Sequence, residues 1–212
     1  MTPATDATDK GSPFWRLDTF SDAIFAVAMT LLVFSFPITS VPSNLGQAEL
    51  ENLILNEWPH LESFIISFLV TALFWVSHHL ILDRIKRYDR ALVWLNFAFL
   101  LCIVFIPFPT AILVEYSQYW LAVALYAATI AAAGFALLAL WLWASHSYRL
   151  IDTAMDRRDV RLSTIQVFIN PCIFMVSIGV AYYSPSLGQY FWLLSFVAQS
   201  IVVRRLKRGK TH

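Results

Sequence analysis

Charge is what this sequence has least of. Of its 212 residues, 14% are charged and 58% are hydrophobic, and the mean hydropathy is +0.63. A soluble domain carries about 25% charged and about 45–50% apolar residues, so a soluble globular chain is excluded and an integral membrane protein is expected. The formal net charge of +1 says nothing about nucleic acid, because the charges are segregated by topology; no nucleic acid is expected as a partner of the membrane protein. Cysteine is scarce. Cys102 and Cys172 both sit inside apolar runs, without metal-ligand spacing, which excludes a disulfide framework and reads as buried small hydrophobes. There is no Gly-rich phosphate loop, no nucleophile elbow and no H-E-x-x-H, and the serines inside the apolar runs have no His–acid arrangement around them. An enzyme, a bound cofactor and a metal are therefore not expected. The chain also lacks a T-V-G-Y-G segment, which excludes a carbonyl-lined potassium filter. No helix carries the repeated arginines of a voltage sensor. A cleavable signal peptide is a poor fit, because Arg16 and Asp18 lead into an apolar run too long for an h-region.

What the sequence does have is long apolar runs. A helix needs about 20 such residues to cross a bilayer. Six runs fit, at about 17–37, 60–82, 91–114, 119–144, 163–183 and 187–203, the last being the shortest. The expected class is an all-α integral membrane protein with six transmembrane helices per subunit. Residues 1–13 read as a disordered cytoplasmic tail, 14–204 as the six-helix domain and 205–212 as a basic cytoplasmic tail. Gln47 to Glu57 spaces Leu50, Leu53 and Ile54 on one helical face, as in a short interfacial helix. All fifteen Lys and Arg fall in the N-terminal segment, the 83–90 loop, the 149–161 loop and the tail from Arg204. The loops at 38–59, 114–118 and 184–186 have none. Positive residues stay inside, so both termini are expected in the cytoplasm. The opposite face carries Glu49, Glu51, Glu57 and Glu115, which read as solvated.

One stretch stands out, Arg16 to Phe36. Arg16, Asp18, Ser21 and Asp22 crowd its start, and the run is then apolar to Pro37 except for Thr30 and Ser35. Charges leading into a membrane-length helix need partners. Asp22 lies six residues past Arg16, His78 six before Arg84 and Asn96 six past Arg90. At 1.5 Å per residue, all three sit roughly 9 Å beyond their basic anchors, in one layer on the cytoplasmic side. Ser21, Trp75, Ser77 and His79 lie near it. Two readings stand: a polar network that braces the first helix, with Arg16 or a histidine as the cation for Asp22 and Asn96 as a neutral bridge, or a plain helix cap by Ser21 or Asp22. His78 and His79 are adjacent, point about 100° apart and do not converge on one metal ion. Further along, Val27, Thr30, Leu31 and Phe34 share one helical face, which on periodicity alone is packing or a lumen. Ala23, Ala26 and Ala28 permit close helix approach.

Arg16-x-x-x-Phe20-Ser21-Asp22, running on as A-I-F-A-V-A-M-T-L-L-V, resembles the signature of the transmembrane protein 175 family, lysosomal potassium channels and their bacterial relatives. F-W-V-S-H-H at 74–79, L-V-W-L-N at 92–96 and P-F-P-T-A at 107–111 with Glu115-Tyr116 also resemble the bacterial members. The resemblance covers 16–116, while the last three spans agree only in number and hydropathy.

That resemblance implies a passive potassium-permeable channel in a bacterial inner membrane, embedded in the lipid bilayer and open to monovalent cations. It implies a homotetramer, because the signature occurs once where animal members carry two repeats, and it places the first helix around a central pore. The hydrophobic constriction would fall on Val27, Leu31 and Phe34, with Thr30 as a polar pore-lining neighbour. Relatives usually carry Ile or Leu at the first and last of these positions. Arg16, Ser21, Asp22, His78 and Asn96 match the polar positions that brace the pore helix. Potassium is then the permeant ion, and no cofactor is implied. The competing readings are a proton- or ion-coupled transporter with Asp22 and His78 as a relay, proton permeation through the same pore, and an assembly protein without a pore.

Overall fold

A backbone inside hydrocarbon must satisfy its own hydrogen bonds, which leaves helices for apolar runs such as these. The structure, a computed structural model, describes residues 5–6, 13–35, 46–56, 58–152 and 155–199. In chain order the helices are α1 (Pro13–Leu31), α2 (Gln47–Asn56), α3 (Trp58–Leu82), α4 (Arg90–Phe105), α5 (Pro107–Tyr116), α6 (Trp120–Ser145), α7 (Arg157–Tyr183) and α8 (Pro185–Phe191). α1 tightens into a 3-10 turn over Leu32–Ser35. Two-residue strands β1 (Thr5–Asp6) and β2 (Arg87–Tyr88) pair antiparallel, Thr5 with Tyr88 and Asp6 with Arg87.

Five segments are long and apolar enough to cross a membrane: Arg16–Ser35, His60–Leu82, Arg90–Tyr116, Trp120–Tyr148 and Arg157–Tyr183. The sixth expected span begins as α8 and is helical again over 193–199, and its remainder lies outside the described residues. The expected surface helix at 47–57 appears as α2, although the side chains of Leu50, Leu53 and Ile54 lie outside the described residues. Most of the 1–13 tail and all of the 205–212 tail lie outside them too.

Prolines shape the third and fifth spans. Pro107 has no N–H for Ile103, and the Ile106 N–H takes that carbonyl instead at 3.2 Å. Ile106 keeps helical dihedrals, so α4 and α5 run on as one span across the missing proline N–H. Pro171 sits inside α7 against Gly134 of α6, where an added Cβ would lie 2.9 Å from the proline ring. Gly134 is therefore required by close approach, and the α6–α7 pair around it forms the densest part of the fold. Trp141 of α6 donates to Thr164 of α7 at 2.9 Å, and Trp192 beyond α8 donates to Ser177 at 2.9 Å.

The basic loops at one end are tied together. Lys86 and Arg87 donate their backbone N–H to the Leu150 carbonyl at 2.8 and 3.1 Å, and Ile85 bridges to Ile151. Arg84 donates to Ser163, and burial pushes its guanidinium down from the usual arginine range, against the pull of Asp159 and Asp83. Asp89 is the hub. Its Oδ1 caps α4 by accepting from the Leu92 N–H at 2.8 Å, and its Oδ2 accepts from Arg149 at 2.6 Å and from the Trp143 indole at 3.2 Å.

Asp89 thus fixes where α4 starts, and α4 carries Asn96. Asp89→Ala removes a cap worth about 1 kcal/mol and a half-exposed ion pair worth at most about 1 kcal/mol more. The melting temperature in detergent should fall by several degrees. Asp89→Asn keeps the capping oxygen and should recover more than half of that loss.

Candidate functional site

α1 turns one face inward. Ser21, Phe25, Ala28, Leu32 and Ser35 recur every three or four residues and are all buried. Their polar members hold the helix at both ends. Near the start, the Ser21 hydroxyl donates to the Leu17 carbonyl at 2.8 Å, as a buried serine does within its own helix. Asn96 Nδ2 of α4 donates to Ser21 Oγ at 3.0 Å, and His78 Nε2 of α3 lies 2.8 Å from Asn96 Oδ1. All three side chains are at most 1% exposed. The proton positions follow one from another. Ser21 gives its only proton to Leu17, so it must accept from the amide. The Asn96 oxygen then faces the ring, and His78 must carry its proton on Nε2. The imidazole is stacked on Phe99 at 5.1 Å and 18°, with Phe25 at 5.8 Å. At the far end, the Ser35 hydroxyl donates to the Pro107 carbonyl at 3.0 Å, fastening the 3-10 turn to α5.

Asp22 is held apart from this chain. Its Oδ1 accepts from the Trp75 indole N–H of α3 at 2.8 Å. The hydrogen-bond donor to Asp22 is thus a neutral indole, and Asn96 bridges His78 to Ser21 and not to Asp22. Trp75 also stacks on His79 at 5.7 Å and 20°. His79 faces Asp18 and Asp22, with candidate ligand atoms of the three within 4.8 Å of one another. Arg16 is exposed, and among the described residues no hydrogen bond or ion pair ties it to the layer. The neighbouring histidines do diverge, one into each cluster. Ser35 and Asp18 are the residues that sequence reasoning left without a role. Ser35 could have been found as a polar break in an apolar run beside a proline.

The opposite face of α1 is open. Val27 is 54%, Leu31 38% and Phe34 77% exposed, and Thr30 is exposed between them. The Thr30 hydroxyl donates to the Val27 carbonyl at 2.8 Å, which leaves its oxygen lone pairs to accept. In a 3-10 turn residues i and i+3 eclipse, so Phe34 swings toward the azimuth of Leu31. The core of this span is 28% buried, against 39–56% for the other four.

Residues 16–107 match the family described as the endosomal/lysosomal potassium channel TMEM175. A potassium channel of Chamaesiphon minutus is 32% identical over 205 residues, 93% of this chain and 98% of that protein. A potassium channel of Streptomyces collinus is 32% identical over 176 residues, 81% of this chain and 84% of the relative. Among solved structures, the crystal structure of a lysosomal potassium-selective channel TMEM175 homolog from Chamaesiphon minutus superimposes with a TM-score of 0.75 at 27% identity, covering 90% of this chain and 98% of that one.

The chain from His78 to Ser21 gives a direct test. Asn96→Leu keeps the side-chain volume roughly but strands a buried imidazole N–H and a buried hydroxyl oxygen, at about 1–3 kcal/mol each. The purified variant should melt many degrees below the parent protein. His78→Phe combined with Asn96→Leu should melt above Asn96→Leu alone, because one stranded donor is gone. Equal melting of the two variants would mean the bond is not made.

Proposed function

Because this chain belongs to the family of the endosomal/lysosomal potassium channel TMEM175, an ion-channel and not an enzyme family, we propose that it is a potassium channel of the lipid bilayer whose first helix lines the pore. In this reading it is a homotetramer of six-span subunits in a bacterial inner membrane, with both termini cytoplasmic. Potassium and other monovalent cations are its permeant partners. Four copies of α1 surround the lumen, and Val27, Leu31 and Phe34 form a hydrophobic constriction without carbonyl ligands.

The observation that carries this reading is the open face of α1. A helix pinned at Ser21 and Ser35 keeps one side against α3, α4 and α5, and it presents Val27, Thr30, Leu31 and Phe34 on the other. Small Ala23 and Ala26 are also exposed, which suits close approach by a second copy. A ring of apolar side chains closes a pore by dewetting, since a passing ion loses hydration water and gains no ligand. Potassium sheds water more readily than sodium, so such a neck favours it without a binding site. Thr30 would add one hydroxyl oxygen per subunit next to the neck. The bracing layer of Ser21, Asp22, His78 and Asn96, with Arg16 at its edge, then holds the helix against the rest of the subunit. For the coupled-transporter reading, Asp22 and His78 would have to exchange protons. Their partners are separate, Trp75 for one and Asn96 for the other, which weighs toward passive conduction.

Protein reconstituted in potassium-loaded liposomes should release potassium electrogenically, faster than sodium and without need of a proton gradient. Saturable uptake that follows the proton gradient would replace the channel by a transporter, and no flux at all would leave an assembly protein. Val27→Asn and Leu31→Asn should each hydrate the neck, raising conductance or lowering potassium preference severalfold, on the order of 1 kcal/mol. Unchanged currents in both variants would mean that this face packs against protein.

A further inference from the structure

We propose that Asp18 and Asp22 of α1 and His79 of α3 form a binding site for a divalent transition-metal cation of the zinc or manganese class. Asp18 and Asp22 are one helical turn apart and share a face of α1. His79 comes from the neighbouring helix, so the donors are set by packing as well as by local sequence. Candidate ligand atoms of all three lie within 4.8 Å of one another. Bonds of about 2.0–2.2 Å to one ion place ligand atoms about 3–4 Å apart, a closure that small side-chain rotations supply.

Two further observations separate this cluster from a solvated acidic patch. Asp18 Oδ1 and His79 Nδ1 are both buried atoms, and neither has a hydrogen-bond partner among the described residues. A buried carboxylate oxygen and a buried imidazole nitrogen without protein partners are two candidate ligand atoms, and one cation can take both. The second observation is Trp75. Its indole N–H holds Asp22 Oδ1 at 2.8 Å while its ring stacks on His79 at 5.7 Å. One side chain thus orients two of the three ligands, the task of outer partners in metal sites. Asp83 stands at the rim, with Oδ2 3.8 Å from His79 Nε2.

The donor chemistry selects the ion. Two carboxylates and a neutral imidazole carry a charge of minus two, which a dication balances. Imidazole suits zinc and its transition-metal neighbours, whereas magnesium and calcium favour all-oxygen shells. Potassium gains little from a nitrogen ligand. A bound ion would clip α1 to α3 at the end where Ser21 is already tied to Asn96, and so restrain the first helix by a second route. Binding itself does not depend on the channel reading.

The test is calorimetric titration of Zn2+ into chelator-treated, tag-free full-length protein in detergent. One saturable site per chain is expected. Asp18→Asn and His79→Gln should each weaken it by about tenfold or more, while His146→Gln, at an exposed histidine of the 146–148 turn, should leave it unchanged. Co2+ in place of Zn2+ should give an absorption spectrum of mixed nitrogen and oxygen ligation in the unsubstituted chain. That spectrum decides the matter alone if a variant fails to fold. No saturable binding, binding unmoved by both substitutions, or the spectrum of hydrated Co2+ would overturn the site.

Discussion

Everything about the first helix depends on one rule, that a polar group at membrane depth must be paired. Three helices each bring one such group to the same point, and Asn96 in the middle bonds to both of the others. Ser21 spends its proton on its own backbone, Asn96 must then donate to Ser21, and His78 must donate to Asn96. Each of these bonds has one defined direction, so the chain has a single satisfied arrangement. A slip of α1 by one residue, about 1.5 Å along its axis and 100° about it, would carry Ser21 away and strand the Asn96 amide N–H, while the His78–Asn96 bond between α3 and α4 would remain. Hydrophobic packing in a bilayer has no such register, because lipid and leucine are equivalent neighbours. The polar chain therefore sets the rotation of α1, and with it the choice of face that stays open.

The second tie works differently. Ser35 bonds the carbonyl of Pro107 at the start of α5, where the third span lacks one backbone N–H. The first tie holds a side-chain amide between two helices, whereas this one holds the end of a 3-10 turn. A 3-10 turn has poorer hydrogen-bond geometry than an α-helix, so the Ser35 bond helps to hold this last turn in place. α1 is thus tied at both ends, and Leu31 and Phe34 sit on either side of the change from α-helix to 3-10 turn.

What was legible in the sequence was whatever depends on depth and hydropathy. The spans through residue 183, the sorting of Lys and Arg into alternate loops and the shared depth of Asp22, His78 and Asn96 follow from counting residues along helices. Which of those groups touch does not follow from depth, because azimuth matters as much. Asp22 and Ser21 are neighbours in sequence but 100° apart on the helix, and so they belong to different clusters. The donor for Asp22 was hard to see for another reason: tryptophan is counted here among the hydrophobic residues, although its indole N–H is a hydrogen-bond donor. The same blindness hid Trp143, which joins Asp89 and Arg149 across two loops. Nor could periodicity give the 3-10 turn, since Leu32–Ser35 contains neither glycine nor proline to announce it.

That turn changes how the proposed neck is built. On an ideal α-helix, Val27 and Phe34 would lie about 20° apart with Leu31 to one side of them. With the last turn tightened, Phe34 comes to the azimuth of Leu31 and sits about 6 Å beyond it, at roughly 2.0 Å rise per residue. In a ring of four subunits, two adjacent apolar layers would then share one radial direction, while the smaller Val27 lies about 6 Å before them and slightly aside. In the proposed pore, Leu31 and Phe34 would thus stand in adjacent layers of the constriction, with Val27 about one turn nearer the polar layer and Thr30 between them.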